Sequence, residues 1–440
     1  MSNDGLELLY RVRTTLHDGT PVPDSFQHIA SQAYYANKGD TIELNTEFYV
    51  FAVGTYAIER ELKYKEEYCY LPDSMWLTYN QDLRPTDYNS DSYTFKENAY
   101  YKICFKRSDG ADVQPSDVEH IKSAFSITGG IRTKHPTAEG MKTYFIEEAD
   151  RVIQRWRSKL VNKGDGDIFS LIILTDTHNV LNGTWADTEK NIRHVSEQIA
   201  LDGIVHLGDL TDGIVSKKRT LQLADEVVNG LKSCNIPVFL ALGNHDSNYF
   251  FNNPEHISIE EQAKLYLNRE KPYYCVDSGS MRMFFLSAYD NNRKLRYGYC
   301  DAQINWIETL LHETPDGMDI MVFSHDAPLA KLDYWSDEIY NGEKMANILE
   351  AHNVQKKNII AFMHGHTHAD KIYRELSYPI VSIANNKCED FSCYKPDGSV
   401  TQKRSFCDAT QDLWDILLFD KSTKGLELVR FGAGNDRSVR

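Results

Sequence analysis

The pattern of apolar and polar positions changes character along the chain. In residues 1–125, segments such as TIELNTEFYVFAVGTYAIE and AYYKICFKR are rich in β-branched and aromatic residues and are broken by Gly, Asp, Asn and Pro, the signature of strands. No long stripe of helical period runs through this part. Exposed sheet faces must be covered by another sheet, so the pattern predicts an all-β sandwich domain of jelly-roll type over 1–125. The segment TGGIRTKHPTAEG (128–140) reads as a linker punctuated by Gly and Pro. In MKTYFIEEADRVIQRWRSKLV, the residues Phe145, Ala149, Val152, Ile153 and Trp156 then fall on one helical stripe. A linker and helix over 126–160 thus precede a second domain, 161–440, entered through the turn Lys163-Gly164-Asp165-Gly166-Asp167.

From residue 168 the rhythm is that of an α/β fold. IFSLIILTD is a continuous apolar run, as a strand covered on both faces requires. TEKNIRHVSEQIALD reads as helix, GIVHLGD as strand, LQLADEVVNGLKSC as helix and IPVFLALGNHD as strand. MRMFFLSAYD, AQINWIETLLHE, MDIMVFSHD, GEKMANILEAHNV and NIIAFMHGHTH continue the alternation. In such folds the loops at strand C-termini converge on one site. The tail changes again: YPIVSIANN and LWDILLFDKSTKGLELVRFG predict strands, the last two joined by a Lys-Gly turn and added antiparallel to a sheet. Residues 386–410 read as a loop.

Composition narrows the function classes. A formal net charge of -16 gives no strong nucleic-acid signal; a polyanion would need a local basic patch or a bound metal. The N-terminus MSNDGLELLYRV has no positive head followed by an apolar core, and no run reaches the length of a membrane span, so the expected placement is cytoplasmic or phage-particle-associated. The eight cysteines include no CxxC pair, which argues against a disulfide scaffold. Cys388, Cys393 and Cys407 lack a fourth ligand at zinc-knuckle spacing and read as unrelated thiols.

The candidate chemistry sits at the predicted strand ends. Asp176 and His178 are two apart, so carboxylate and imidazole face the same way. Asp209 follows Gly208, which permits close backbone approach or an unusual dihedral, and its two oxygens can bridge two cations. Asn244 offers an uncharged amide oxygen. His245, next to it, can point from the same turn towards a substrate, with Asp246 placed to orient the imidazole; capping of the turn is the plainer role for this trio. His325 ends another apolar run, and His366 and His368 repeat the period-two spacing. His364 is one step further back, either a supporting donor or a buried strand residue, and Asp212 is either a cap or a hydrogen-bonding support. Carboxylate, imidazole and amide donors suit Mn, Fe, Ni, Co or Zn, and a pair of such ions can activate water against a phosphate ester. No GxxxxGK[ST] loop and no GxSxG elbow competes with this reading.

The ordered set Asp176-x-His178, Gly208-Asp209, Gly243-Asn244-His245-Asp246, His325 and Gly365-His366-x-His368 resembles the motifs of the calcineurin-like metallophosphoesterases over roughly residues 168–370. The resemblance implies a four-layer α-β-β-α sandwich. It assigns one divalent or mixed-valence metal ion to Asp176, His178, Asp209 and His368, and a second to Asp209, Asn244, His325 and His366. It makes His245 the general acid or leaving-group stabiliser, with Asp246 behind it. The tail RFGAGNDR is similar to the end of some bacterial and phage-encoded members that carry an accessory N-terminal region; Arg430 and Arg437 are candidates for phosphate binding, fold stabilisation or surface ion pairs.

The expected activity is dinuclear-metal-dependent hydrolysis of a small phosphate ester, phosphodiesters before monoesters. The alternatives are a phosphomonoesterase of the same fold and a non-catalytic binding protein retaining the metal site. Tyr68, Tyr70, Trp76 and Tyr79 are candidates for a glycan or protein ligand of the N-terminal domain, or for its core. Arg293 and Arg296 in the NNRKLR segment, and the segment carrying Tyr334, Trp335 and Tyr340, are candidates for the substrate rim.

Overall fold

The structure, a computed structural model, describes residues 6–10, 13–14, 21–22, 26–31, 34–57, 88–89, 91–96, 99–131, 141–161, 163, 167–179, 184–213, 217–249, 255–333, 335–388, 398–400, 402, 404–405 and 408–440. Tyr68, Tyr70, Trp76, Tyr79, Tyr334, Cys69, Cys393, Cys407 and most of the expected linker lie outside the described residues. The chain divides near residue 140 into two compact units.

The N-terminal unit contains β1 (Leu8–Tyr10), β2 (Arg13–Thr14), β3 (Pro21–Val22), β4 (Ile29–Ser31), β5 (Tyr34–Ala36), β6 (Thr41–Leu44), β7 (Tyr49–Ala57), β8 (Ser92–Thr94), β9 (Ala99–Arg107), helix α1 (Pro115–Ala124) and β10 (Phe125–Ile127). One sheet has the order β1-β4-β9-β5 with β7 also pairing β9, a second has the order β10-β6-β8, and β2 pairs β3. Phe51 and Val53 of β7, Ile103 and Phe105 of β9, Ile42 and Leu44 of β6 and Phe125 of β10 join one apolar cluster, so the two larger sheets share a core. The pattern of strands predicted no helix here, yet α1 is present. Pro115 opens it, and the Asp117 carboxylate accepts from the Gln114 amide at 2.7 Å. Only Asp117 and Ile121 of this helix are buried, too few to print a helical period on the sequence.

The second unit contains α2 (Thr143–Lys159), β11 (Ile168–Leu174), α3 (Trp185–Ser196), β12 (Gly203–His206), α4 (Lys217–Lys232), β13 (Val238–Leu240), α5 (Ile259–Leu267), β14 (Tyr274–Ser278), β15 (Met281–Phe285), α6 (Asp301–His312), β16 (Asp319–Phe323), α7 (Gly342–Lys356), β17 (Ile359–His364), β18 (Lys371–Tyr373), β19 (Ile380–Ser382), β20 (Leu413–Asp420), β21 (Gly425–Gly432) and β22 (Arg437–Ser438). They form two six-stranded sheets, β13-β12-β11-β20-β21-β22 and β14-β15-β16-β17-β19-β18. β11, β12 and β13 are mutually parallel, as are β15, β16, β17 and β19.

Strand alternation builds the layers. Phe169, Leu171 and Ile173 of β11 meet Met283 and Phe285 of β15, Met321 and Phe323 of β16 and Met363 of β17 in the cluster between the sheets. The intervening Ile172 and Leu174 face the opposite way, onto Phe145, Val152 and Trp156 of α2, Ile192 of α3 and Val227 of α4. On the second sheet, Phe284, Ile320, Val322 and Phe362 pack against Ile304 and Ile307 of α6 and Met345 and Leu349 of α7. The order is helix, sheet, sheet, helix. Each of these fully buried apolar side chains contributes about 1.5–3 kcal/mol relative to exposure, which is why the strands read as unbroken apolar runs.

Four elements of this unit lie outside the sequence reading: β14, α5, β18 and β22. β14 is an edge strand antiparallel to β15. α5 starts at a capping box in which Ser258 accepts from the Glu261 amide and Glu261 accepts from the Ser258 amide, a signal present in the sequence as Ser258-x-x-Glu261. The tail hairpin pairs β20 with β21 from Leu413↔Gly432 to Asp420↔Gly425, and β20 runs antiparallel to β11. Arg430 and Arg437 are buried in an ion-pair network with Asp370 and Asp415, so they hold β21 and β22 to the loop beyond β17. Their chemistry is spent on the fold.

Candidate metal centre

The candidate ligands sit just beyond the C-termini of five parallel strands. Asp176 and His178 follow β11, Asp209 follows β12, Asn244 and His245 follow β13, His325 follows β16, and His366 and His368 follow β17. Asp176, His178, Asp209, His366 and His368 all have positive φ, from 43° to 63°. A non-glycine residue rarely takes this left-handed backbone unless its surroundings force it. Here the forcing contacts are loop to loop. The Asp176 amide donates to Gly208 O, the His178 amide to Asp209 O and the Gly365 amide to His325 O, each at 3.0 Å. Gly208 has φ +107°, and a Cβ there would lie 2.6 Å from Gly243 N. A Cβ on Gly365 would lie 1.9 Å from Thr175 Oγ1 and 2.6 Å from Asp176 Oδ2, so only glycine lets the loops of the two sheets close on each other.

The side chains converge in two adjoining groups. Asp176, His178 and His368 offer ligand atoms close enough to share an ion, and so do Asp209, His325 and His366. His178 Nε2 and His368 Nε2 face each other at 3.3 Å. His368 Nε2 is 3.2 Å from Asp176 Oδ1, and His178 Nε2 is 3.6 Å from Asp209 Oδ2. On the other side His325 Nε2 lies 3.2 Å from both Asp209 Oδ2 and Asn244 Oδ1. Asp209 Oδ2 therefore faces both groups. Asp176 Oδ1 and Asp209 Oδ2 are buried and accept no hydrogen bond, while their partner oxygens are engaged by amides.

The electrostatics are those of a cation site. Burial opposes ionisation of Asp176, but the His368 and His325 imidazoles outweigh it and hold the carboxyl well below the usual range. Asp209 is likewise held down, with His325 and His245 the principal opposing charges. Burial opposes the charge on His178, yet contacts with Asp176 and Asp212 push it up to about 10. Imidazole protons thus balance the buried carboxylates. A divalent ion would take over that balance and release them, so the donor set fits two borderline divalent metals.

The contacts around His245 differ from the expected arrangement. His245 Nδ1 bonds the main-chain oxygen of Asp212 at 2.7 Å. Both Asp246 oxygens accept main-chain amides: Oδ2 from Asp209 at 2.9 Å and Gly243 at 2.8 Å, Oδ1 from Leu210 at 2.8 Å. Asp246 therefore joins the loops after β12 and β13, and Asp212 O, not the Asp246 carboxylate, orients the imidazole. Burial, then the Asp209 charge, push the Asp246 carboxyl up to about 7.

Sequence reasoning missed most of the support behind the ligands. Asp212 Oδ1 lies 3.0 Å from His178 Nδ1, and Lys387 Nζ bonds both Asp212 oxygens at 3.0 and 3.1 Å. Burial raises the Asp212 carboxyl, but the Lys387 charge and the His178 bond outweigh it and bring it to about 2. Lys387 is 3% exposed, and its amide donates to Asp176 O at 3.1 Å. Arg404 fastens this loop by donating to the carbonyls of Asn385, Asn386, Lys387, Thr410 and Gln411. No local signal marks Lys387; it is one lysine in a polar stretch. His366 Nε2 stands 3.2 Å from Asp326 Oδ1 and 3.6 Å from Asp333 Oδ1. His364 is buried, bonds Gly365 O and joins no ligand group among the described residues; it is a strand residue.

The rim is aromatic. Trp335 donates its indole N–H to His366 O at 3.0 Å yet keeps 42% of its surface exposed. The Tyr297 ring centre is 5.2 Å from that of His366.

The sequence profile of the calcineurin-like phosphoesterases matches residues 169–370, the span from β11 to the last candidate ligand loop. No curated protein matches the chain. Among solved structures, a dimetal phosphatase from Danio rerio is similar at 13% identity, covering 62% of this chain and 98% of that one, with a TM-score of 0.46. A phosphopantetheinyl hydrolase from Mycobacterium tuberculosis is similar at 10% identity over 50% of this chain and 91% of its own, TM-score 0.32. GAP50, the anchor in the inner membrane complex of Plasmodium, is similar at 12% identity over 62% of this chain and 89% of its own, TM-score 0.38. The strand-end motifs, their convergence and the profile match agree, and residues 169–370 belong to the calcineurin-like phosphoesterases, a family of hydrolases acting on phosphate esters.

Proposed function

We propose that this protein hydrolyses small phosphodiesters with two divalent ions drawn from Mn, Fe, Zn, Ni and Co. Asp176, His178, Asp209 and His368 would hold one ion, and Asp209, Asn244, His325 and His366 the other. The observation that carries the reading is the pair of buried, unbonded oxygens, Asp176 Oδ1 and Asp209 Oδ2, set among facing imidazoles. When bound, two such ions supply Lewis acidity and lower the pKa of water. The chain's own residues do the rest. With Nδ1–H on the Asp212 carbonyl, His245 presents Nε2; as imidazolium it would give the Nε2 proton to the leaving oxygen as the phosphorus–oxygen ester bond breaks and a water oxygen bonds to phosphorus, and the proton that water loses would restore it. Asp246 holds the two loops in register. Tyr297 and Trp335 beside His366 offer apolar surface for a second organic arm, which a diester has and a monoester lacks.

The test is paired turnover of bis(4-nitrophenyl) phosphate and 4-nitrophenyl phosphate by protein loaded with each metal in turn. Faster diester turnover is expected, and His245→Ala should lower it while two metals per chain remain. Faster monoester turnover would make the protein a phosphomonoesterase. No turnover of either ester with both metals bound would favour a non-catalytic binding protein. The N-terminal unit we take as an accessory β-sandwich over residues 1–125, supported by the apolar cluster its two larger sheets share. Retention of full small-ester turnover by residues 141–440, with loss of binding to glycan or protein, would be its expected signature.

A further inference from the structure

Between β15 and α6 the chain forms a short hairpin. A bridge joins Tyr289 to Tyr297, and the Asp290 amide donates to Arg296 O at 2.9 Å. Its two arginines are used differently. Arg293 is paired within the hairpin: Nη2 donates to the carbonyls of Gly298 at 2.8 Å and Arg296 at 3.3 Å, and Nε stands 3.4 Å from the Asp290 carboxylate, while Nε and Nη1 are buried without a hydrogen bond. Arg296 has no carboxylate partner among the described residues. Its Nη2 donates to the Tyr249 hydroxyl at 3.0 Å, and its guanidinium carbon lies 4.3 Å from the centre of that ring. Elsewhere in this unit Arg151, Arg155, Arg193, Arg282, Arg430 and Arg437 are each paired with an acid. In a chain of formal charge -16, an arginine left with phenols alone keeps its unbalanced charge and its remaining donors for an anion.

Its location ties that capacity to the metal centre. Tyr249 lies four residues beyond His245, after the one-turn 3-10 helix His245–Ser247. The Tyr297 ring sits between those of Tyr289 and His366, with centres 5.2 Å from each. Arg296 is thus the residue next to an aromatic side chain that packs on a candidate ligand, held by a tyrosine from the loop that carries the candidate proton donor. The Arg296 guanidinium is half-buried there.

We propose that Arg296 forms an anion subsite, and that the preferred substrate is a phosphodiester with a second anionic group, phosphate or carboxylate, on one arm. The proposal rests on the phosphodiesterase reading for the scissile phosphate, and it adds the charge of the arm. Two matched pairs of substrates test it. Thymidine 5′-(4-nitrophenyl phosphate) is compared with its 3′-phosphorylated form, and phenyl 4-nitrophenyl phosphate with 4-carboxyphenyl 4-nitrophenyl phosphate. In the metal-loaded protein the charged-arm member of at least one pair should have the higher kcat/KM. Arg296→Ala should lower the ratio of the charged-arm to the uncharged-arm substrate about tenfold, the order expected for losing a charge-assisted contact, and Arg296→Lys should retain part of it. A fall in one pair alone identifies phosphate or carboxylate. Ratios unchanged in both pairs overturn the proposal. Calorimetric titration of the Mn-loaded protein with pyrophosphate and with phosphate separates the subsite from the activity. Arg296→Ala should weaken pyrophosphate binding about tenfold more than phosphate binding, even if no ester is turned over, and equal weakening overturns the subsite.

Discussion

The two sides of the candidate metal centre are backed in opposite ways. Behind His178 stands Asp212, neutralised by the buried ammonium of Lys387, which is fastened in turn by Arg404. Behind His366 stand Asp326 and Asp333, and both Asp326 oxygens are buried without a hydrogen-bond donor. Burial raises the Asp326 carboxyl well above its usual range, and the nearby Asp333 charge adds to that push. One side is therefore set by protein charge before any ion arrives. The other holds a carboxyl that burial and the Asp333 charge keep from ionising until imidazole protons or an ion offset its charge. The lesson is that a motif-symmetric pair of sites can be unequally preorganised: ligands alone do not set affinity, and their supports do.

That contrast can be broken at its shared point first. Asp209 Oδ2 faces both sides, so Asp209→Asn should empty both. Metal content by elemental analysis should fall towards zero, and turnover by more than about 100-fold, the upper cost of losing even an outer-shell partner. Retained two-metal stoichiometry would remove the bridge. Next, Lys387→Met should weaken the ion held by His178 and His368 by about 10–100-fold while sparing the other, seen as one lost step in a two-step calorimetric titration. It also leaves Asp212 without its ammonium, so stability should fall by about 3 kcal/mol in denaturant unfolding. Lys387→Arg should recover part of both. Loss of both steps together would show that the sides are not independent.

Removing metal with a chelator should lower the melting temperature, because ions that bind only the folded chain stabilise it by mass action, about 2.7 kcal/mol at 100-fold excess over Kd. Restoring a single equivalent should recover only part of the loss. The smallest effect sharpens the comparison from the other side. Asp326→Asn relieves like charge beside Asp333 and should raise the melting temperature of the metal-free protein by about 2 °C, while weakening the ion at His366. A drop in metal-free stability would mean that the Asp326 charge is already balanced within the fold.

The four-layer unit was legible because its strands are buried on both faces. IFSLIIL reads as an unbroken apolar run because Leu171 faces one layer and Ile172 the next. Phe145, Val152 and Trp156 of α2 were legible for the same reason, since one stripe meets one sheet. α1 was not, because it buries too few side chains, and β14 was not, because it is short and only Tyr274 of it is buried. At the centre the candidate ligands were legible as types and spacings. The orienting partner of His245 was not: adjacency in sequence pointed to Asp246, and a main-chain oxygen from another loop took that place. Main-chain groups carry no residue code, so no pattern could have named Asp212 O.

Sequence alone therefore determined what repeats or recurs locally: strand and helix periods, the order of chemistry-bearing turns, and the glycines that free their neighbours. Only the tertiary structure decided which groups face each other across loops. Lys387, 175 residues from Asp212, and Arg296, 47 residues from Tyr249, acquire their roles through contacts that no local window contains. The physical reason is that propensity and periodicity are short-range, whereas charge pairing and hydrogen bonding act on distance in space.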